Sequence, residues 1–406
     1  MHEHFDIAVV GGGLAGSVAA LAAAAEGWRV AFIAPQPPRQ DGRTTALLSE
    51  SVDYLGTLGL WDEVKPKSAP LRTMRILDGT TRLLRSRPVS FRSSDIGLEA
   101  FGYNIPNQPL FDALQAATAA SPLITRFESP LESATQTDSA IELVLADGAR
   151  LSAFAAMAAD GRNSKLRTEM GIKVRTWSYP QTALVLNFRH SLPHGDTSTE
   201  FHTEEGPFTT VPLPGNRSSL VWAVRPDRVD SILSMPRDML NREVETRMSS
   251  ILGKVEIDTD VQAWPLSSLI ASRFGAGRVM LVGETGHGFP PIGAQGLNLG
   301  LRDIMEAIEV LKDAGGPQQA PRAVSAFNRK RLPDIASRTA SVDLLNRALM
   351  SSFLPVQVLR VGGLAALSSI PPLRNIIMRE GMTPGWRRDL FRWRRETPAS
   401  GEQVGR

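Results

Sequence analysis

Two short apolar stretches, Phe5 to Val10 (FDIAVV) and Arg29 to Ala34 (RVAFIA), flank an alanine-rich segment early in the chain. Continuous apolar runs of this length are the pattern of strands buried on both faces, and the intervening SVAALAAAAEGW is strongly helix-forming. A turn over residues 41–48 leads into a helix expected through LSESVDYLGTLGLW. Residues 71–91 alternate and predict a small hairpin, LRTMRILD followed by TRLLRSR. GYNIPNQPLFDAL, from Gly102 to Leu114, turns into another helix. Ile124 to Ala159 reads as several short strands, two of them flanking the hairpin signal Asp147-Gly148. Residues 174–225 alternate polar and apolar with turn residues between, which predicts an antiparallel sheet. A helix over roughly Asp238 to Leu252 follows, then VQAWPLSSLIASRF, then an apolar strand at Val279 to Val282. Helical periodicity resumes near Leu297, and from about Ala320 the chain reads as helix with proline breaks.

The loops between these elements carry the chemistry. Gly11, Gly12, Gly13, Leu14, Ala15 and Gly16 follow the first apolar strand and open a helix that leads to a second strand. Strand, G-x-G-x-x-G, helix, strand within about 30 residues is the context of a dinucleotide site. Gly11 makes the tight turn, Gly13 lets backbone approach a pyrophosphate, and Gly16 lets the helix pack on the strand. The acid that usually ends the second strand is missing: the chain reads Phe32, Ile33, Ala34, Pro35, Gln36. Either Gln36 or a backbone group replaces it, or the ribose is held less firmly. Arg43, in a turn after that strand, reaches a phosphate or a flavin edge, or else caps a helix or pairs with Asp41. Asn107 and Gln108, at a helix start, cap that helix or touch a cofactor.

Two further turns stand out. FAAMAA ends in Asp160-Gly161-Arg162-Asn163-Ser164-Lys165-Leu166-Arg167. Taken alone, Asp160 anchors this strand-to-helix elbow, and Arg167 pairs with it or with a phosphate. Gly277 to Asp303, GRVMLVGETGHGFPPIGAQGLNLGLRD, runs from a strand through Gly283, Gly286, Gly288, Pro290, Pro291, Gly293 and Gly296 into a helix. Its glycines permit close backbone approach, its prolines stiffen it, and amides entering a helix N-terminus suit a partly anionic, planar ligand. His287, inside this loop, reads as a turn histidine ahead of a proton shuttle.

Composition narrows the classes. The 406 residues are 42% hydrophobic and 21% charged, an ordinary globular balance, and at ~150 residues per domain they allow two or three domains. The pI near 9.4 accompanies a formal charge of only +3. Little titrates just above pH 7, so a small excess of Arg carries the pI far, and nucleic-acid binding is not inferred. The basic residues scatter, except where Arg379 to Arg395 mixes Arg with Trp and Phe, a segment suited to an anionic membrane surface or to a solvated tail. The absence of Cys excludes disulfides, Cys-ligated zinc and iron–sulfur clusters. No metal site is assigned; His2 and His4 read as a frayed chain end. The N-terminus lacks the basic region of a signal peptide and no apolar stretch reaches 18 residues, so a cytoplasmic protein is expected.

The three motifs GGGLAG, DGRNSKLR and GETGHGFPPIGAQGLNLGLRD, in that order, resemble the single-component FAD-dependent aromatic hydroxylases of the para-hydroxybenzoate hydroxylase fold. PPIGAQGLNLGLRD and the late PPLRNIIMREGM resemble the ubiquinone-biosynthesis hydroxylases among them. The resemblance implies a mixed α/β chain: a Rossmann-like FAD-binding domain in three parts (1–70, 92–173, 271–320), an inserted antiparallel substrate sheet (174–270) with the small hairpin 71–91, and a C-terminal helical region (321–406).

It further implies FAD contacts at Gly11, Gly13, Leu14, Ala15, Gly16, Arg43, Asn107 and Asp160. At the ribityl chain it implies Glu284, where the family usually has Asp. By the flavin ring it implies Pro291, Gly293, Gln295, Gly296, Leu297 and Asn298. NAD(P)H would be the transient reductant and O₂ the oxidant, with ring hydroxylation through the flavin C4a-hydroperoxide; no protein acid or base is named. The implied substrate is a polyprenylated phenol in a long apolar channel between the substrate sheet and the flavin loop. The implied surroundings are a membrane surface and a multiprotein ubiquinone-biosynthesis assembly. Two alternatives stand beside this: a same-fold flavoenzyme acting on other aromatics or on prenyl chains, and a non-catalytic FAD-binding assembly subunit. The halogenase branch is disfavoured, because no Trp-x-Trp-x-Ile-Pro segment is present.

Overall fold

A computed structural model describes residues 3–35, 42–80, 87–290 and 295–350. Five parallel strands form the centre of the first sheet, in the order Val279–Leu281, Arg150–Ala158, Glu3–Val10, Val30–Ile33, Ile124–Phe127. The four strands from Val279–Leu281 to Val30–Ile33 are largely apolar because both faces are covered, whereas the edge strand Ile124–Phe127 exposes Thr125 and Arg126. One face packs under the helices Leu14–Ala25, Asn107–Ala120 and Gln295–Ala314, burying Ile7, Val9, Val30, Phe32 and Met280. The other buries Phe5, Ala8, Val10 and Ile33 against Leu143 and Leu151 of the hairpin that turns at Asp147-Gly148. The sheet thus draws its strands from four separated parts of the chain.

The second sheet has nine strands. Val174–His190, Thr197–Thr203, Gly206–Leu213, Arg217–Val224 and Gln262–Ala271 pair antiparallel, as the alternation in residues 174–225 requires. One face buries Leu184, Leu186, Phe188, Phe201, Phe208, Leu220 and Trp222 under the helix Arg237–Arg247. The other turns towards the first domain. A small three-stranded sheet, Thr44–Leu48, Gly102–Pro106 and Ala69–Pro70, lies at that junction. Thr44 donates to Ser219, Asn104 to the Pro212 carbonyl and Asn187 to the Gly42 carbonyl.

Three local expectations change. Residues 44–48 are a strand, and the helix begins only at Ser49. The close seat at Gly102, where a Cβ would fall 2.0 Å from the Leu47 carbonyl, explains why this partner strand overrides the local pattern. The hairpin from Thr73–Asp78 returns through Val89–Arg92, wholly beyond TRLLRSR, and residues 81–86 lie outside the described residues. Its first strand also runs parallel to Thr197–Thr203, which fuses the hairpin to the large sheet. The helix from Ala320 continues to Met350 with Pro333 inside it, so proline does not break it there. The region beyond residue 350, including the Arg-Trp segment 379–395, lies outside the described residues, as do His2, Gln36 and Asp41. No described helix is long and apolar enough to cross a membrane.

That long helix is tied into the core by charge. Arg331 is fully buried and donates through Nε to Asp303 Oδ1 at 2.7 Å and through Nη1 to Asp334. Arg338 donates to the other oxygen of Asp334 at 2.9 Å. Asp303 Oδ2 accepts from the Gly283 amide at 2.9 Å and lies 2.6 Å from His287 Nε2. Burial pushes both carboxyls up, but Arg331 beside each, with His287 at Asp303 and Arg338 at Asp334, outweighs burial and holds them below the usual range.

A complete buried pair of this kind is costly to break, because removing one partner strands the other charge. Arg331→Ala is therefore expected to cost about 3–5 kcal/mol in urea unfolding at pH 7. Carboxyls whose values are lowered on folding stabilise fully above their unfolded value of about 3.9 and lose that contribution as pH falls through their folded values. Acid unfolding of the variant should accordingly begin at higher pH than in the parent, as followed by circular dichroism. A loss below ~1 kcal/mol, the scale of an exposed pair, would show that the ion network does not hold the helix.

Candidate cofactor site

Three of the parallel strands end at one edge of the sheet, and the three sequence motifs meet there. Such an edge is where open α/β sheets bind ligands. Gly11, with φ +122°, has its missing Cβ 2.2 Å from the Ala159 carbonyl, so the first and second motifs touch backbone to backbone. A Cβ on Gly16 would fall 1.8 Å from the Gly11 carbonyl. The helix therefore seats on the loop itself, and beyond it on Ala159 of the neighbouring strand end. Gly300 of the helix Gln295–Ala314 crosses Gly283 at a spacing that puts its would-be Cβ 3.2 Å from the Gly283 Cα, and Ala15 packs on the same point.

Gly13 is different. Its φ of −77° and ψ of −177° are open to any residue, and a Cβ there would meet nothing within 4 Å. Nothing inside the protein demands glycine at this position; the free space lies over the N-terminus of the helix Leu14–Ala25. That end has no side-chain cap and no acid in its first turn, and its first intrahelical bond runs from the Ser17 amide to the Gly13 carbonyl. Unpaired amides on a positive helix end, beneath a space left by glycine, fit a pyrophosphate. Leu14 and Ala15 supply the first turn of this cradle.

The second motif closes on itself. Asp160 accepts from Ser164 Oγ and from the Lys165 and Leu166 amides at 2.8 and 3.2 Å, while Ser164 accepts from the Arg167 amide. Both Asp160 oxygens are thus engaged within their own turn. Arg167, buried, does not pair with Asp160: it donates to the Thr285 and Arg162 carbonyls, each at 2.8 Å, and burial lowers its ordinarily high value. Gly161 N–H donates to Thr285 Oγ1 at 3.2 Å. The second motif therefore clamps the third, and Thr285 is the residue that sequence reading did not single out. Its only signal is its place between two glycine-flanked turns.

In the third motif Glu284 is the one exposed residue from Val279 through Gly288. Its carboxylate has no partner among the described residues, which suits a hydroxyl-bearing ligand chain. His287 is 1% exposed and paired with Asp303, the place of a turn histidine in the core. Gly296 is exposed with open space at its missing Cβ, and Leu297 is half-buried. Gln295 begins the helix; its side chain, Pro291 and Gly293 lie outside the described residues. The Asn298 side chain faces the scaffold: it accepts from Ser51 Oγ and the Leu48 amide and donates to the Ala46 carbonyl.

Around the rim, the Arg43 guanidinium stacks over Trp264 of the second sheet at 4.7 Å, and Trp264 is 45% exposed. Asn107 does not cap its helix; its amide oxygen accepts from Thr45 Oγ1 at 2.6 Å. At the end of the second strand, where the acid is missing, Arg126 donates to the Ala34 carbonyl at 3.1 Å.

The profile of the FAD-binding domain family matches residues 4–339. The chain belongs to that family. It is 33% identical to the ubiquinone hydroxylase UbiL of Rhodospirillum rubrum, over 93% of this chain and 89% of that one. It is 30% identical to the 3-demethoxyubiquinol 3-hydroxylase of Escherichia coli, over 89% of this chain and 94% of that one. Among solved structures, the p-nitrophenol 4-monooxygenase PnpA of Pseudomonas putida DLL-E4 superposes with a TM-score of 0.74 at 16% identity, over 93% of this chain and 98% of that one. The last likeness establishes the fold. Family membership makes FAD the cofactor and places the chain among the flavin-dependent hydroxylases.

Two glycines separate packing from binding. Gly13→Val should fold as the parent does yet purify with little FAD, whereas Gly16→Val should lose the fold as well. Thermal unfolding and the flavin absorbance of the purified proteins distinguish the two. Full flavin in Gly13→Val would mean that the pyrophosphate lies elsewhere. Glu284→Ala should retain the fold and release FAD more readily on dilution; unchanged retention would remove this carboxylate from the site.

Proposed function

We propose that this chain is a monooxygenase of ubiquinone biosynthesis that hydroxylates the aromatic ring of a polyprenylated phenol, using FAD, a nicotinamide nucleotide and O₂. The observation that carries the reading is full-length similarity to two named ubiquinone hydroxylases, together with a cofactor edge built from all three motifs. Bound FAD supplies the redox chemistry, taking electrons from the nicotinamide and activating O₂. The protein holds the pyrophosphate on the Leu14–Gly16 amides, faces the ribityl chain with Glu284, and presents the loop before Leu297 to the ring. Arg43 stands at the rim, where Trp264 holds it against the second sheet. The face of that sheet turned to the FAD-binding part provides the wall of the substrate site. A prenyl tail places the work at a membrane surface, beside the other enzymes of the pathway.

The test uses the purified, FAD-loaded protein with NADH and NADPH in turn. Prenylated phenols should stimulate O₂-dependent nicotinamide oxidation and gain one oxygen atom by mass spectrometry, and the bare phenol should do so less well. Equal rates on prenylated and bare phenols would move the substrate to small soluble aromatics. Turnover without O₂ consumption would replace hydroxylation by reduction.

A further inference from the structure

Strand register on the large sheet places Ile76, Glu200, Thr209, Val221, Val185 and Gln262 in one row across six strands. The next row carries Ser219 and Asn187, whose bonds to Thr44, Asn104 and Gly42 fix this face as the one turned towards the FAD-binding part. The row is neither core nor open surface. Ile76, Glu200, Thr209, Val221 and Gln262 are half-buried, and Val185 is 9% exposed. Its middle is apolar, and it has one carboxylate, Glu200, towards one end.

That carboxylate is held in place. His202, two residues along the strand and so on the same face, lies with Nε2 2.8 Å from Glu200 Oε1, where an Nε2–H donates to the carboxylate. His202 is 7% exposed. Thr209 Oγ1 lies 3.5 Å from the other oxygen. Neighbouring ionisable groups are occupied elsewhere. Asp78 accepts from Thr80, Glu205 pairs with Arg228, Tyr179 donates to Asp343, and Arg43 stacks on Trp264. A carboxylate fixed by a histidine on an apolar floor is placed to accept a proton from a ligand lying across that floor.

We propose that Glu200, positioned by His202 and Thr209, takes the hydroxyl proton of the phenolic substrate. This rests on the hydroxylase reading above. As the ring carbon forms its bond to the incoming oxygen, the phenol O–H bond breaks and an O–H bond forms on Glu200, so the carboxylate becomes neutral while the positive charge developing on the substrate oxygen is removed. A phenol with a value near 10 is only about one part in a thousand ionised at pH 7. A positioned base therefore contributes on the order of 10²–10⁴ in rate.

The experiment compares full-length, FAD-loaded parent, Glu200→Gln and Glu200→Asp, measuring hydroxylated product from pH 7 to about 10. The expected result is normal flavin content in both variants and about a 100-fold deficit in Glu200→Gln at pH 7. That deficit should shrink as pH rises, because the substrate then ionises unaided, and Glu200→Asp should recover much of the rate. Parent-like hydroxylation by Glu200→Gln at pH 7, or a deficit equal at every pH, would overturn the proposal. Loss of FAD from both variants would make Glu200 a structural residue and overturn it too. Absence of hydroxylated product from the parent itself would instead bring down the hydroxylase reading and this proposal with it.

Discussion

The Asp303 carboxylate is the interaction on which the cofactor side of the molecule depends. It is fully buried, yet it meets three elements at once: the Gly283 amide at the end of a strand, His287 in the following loop, and Arg331 on the long helix. Each of these would be expensive to bury alone, and together they neutralise one another. The arrangement ties down Gly283 and so sets the position of Glu284, the next residue and the exposed one. A buried charge hub thus aims an acid that makes no contact with it.

Glycine serves two opposite purposes around that hub. At Gly11 and Gly16 a side chain would collide with backbone at 2.2 Å or less, so these positions let loop, strand and helix close on one another. At Gly13 and Gly296 no collision exists, and the missing side chain leaves room for something that is not protein. Tight packing on one side of the loop fixes the emptiness on the other. The second motif extends this division: Asp160 and Arg167 spend their hydrogen bonds on the scaffold, which keeps the third motif in register with the first.

Much of this is legible in sequence where chemistry is local. The inner parallel strands announce themselves as apolar runs because both faces are covered, and the large sheet announces itself by alternation because its faces differ. Asp147-Gly148 marks its hairpin because that turn needs a left-handed residue, and Gly148 has φ +87°. What stays hidden depends on partners far along the chain. Thr44–Leu48 looks like the approach to a helix and becomes a strand only because Gly102 offers a seat. Pro333 looks like a helix break but is overridden by packing around Arg331. Asn298 lies in the motif assigned to the flavin, yet its amide is consumed by residues about 250 positions earlier. Glu200 and His202 are visible as alternation in TSTEFHT, but nothing in that string says which face meets the cofactor domain.

The first sheet takes its strands from residues 3–10, 30–33, 124–127, 150–158 and 279–281. During synthesis the opening strand-helix-strand emerges early, but its dinucleotide loop leans on Ala159, and the edge at Ala156–Ala158 stays bare until Val279–Leu281 has been made. Contacts of such long range close slowly, and a waiting strand edge invites pairing with other chains. The division of the cofactor site among distant segments therefore imposes a vulnerable interval on the nascent protein. It ends only when the Gly283 turn arrives, so the last motif to leave the ribosome is also the one that seals the sheet.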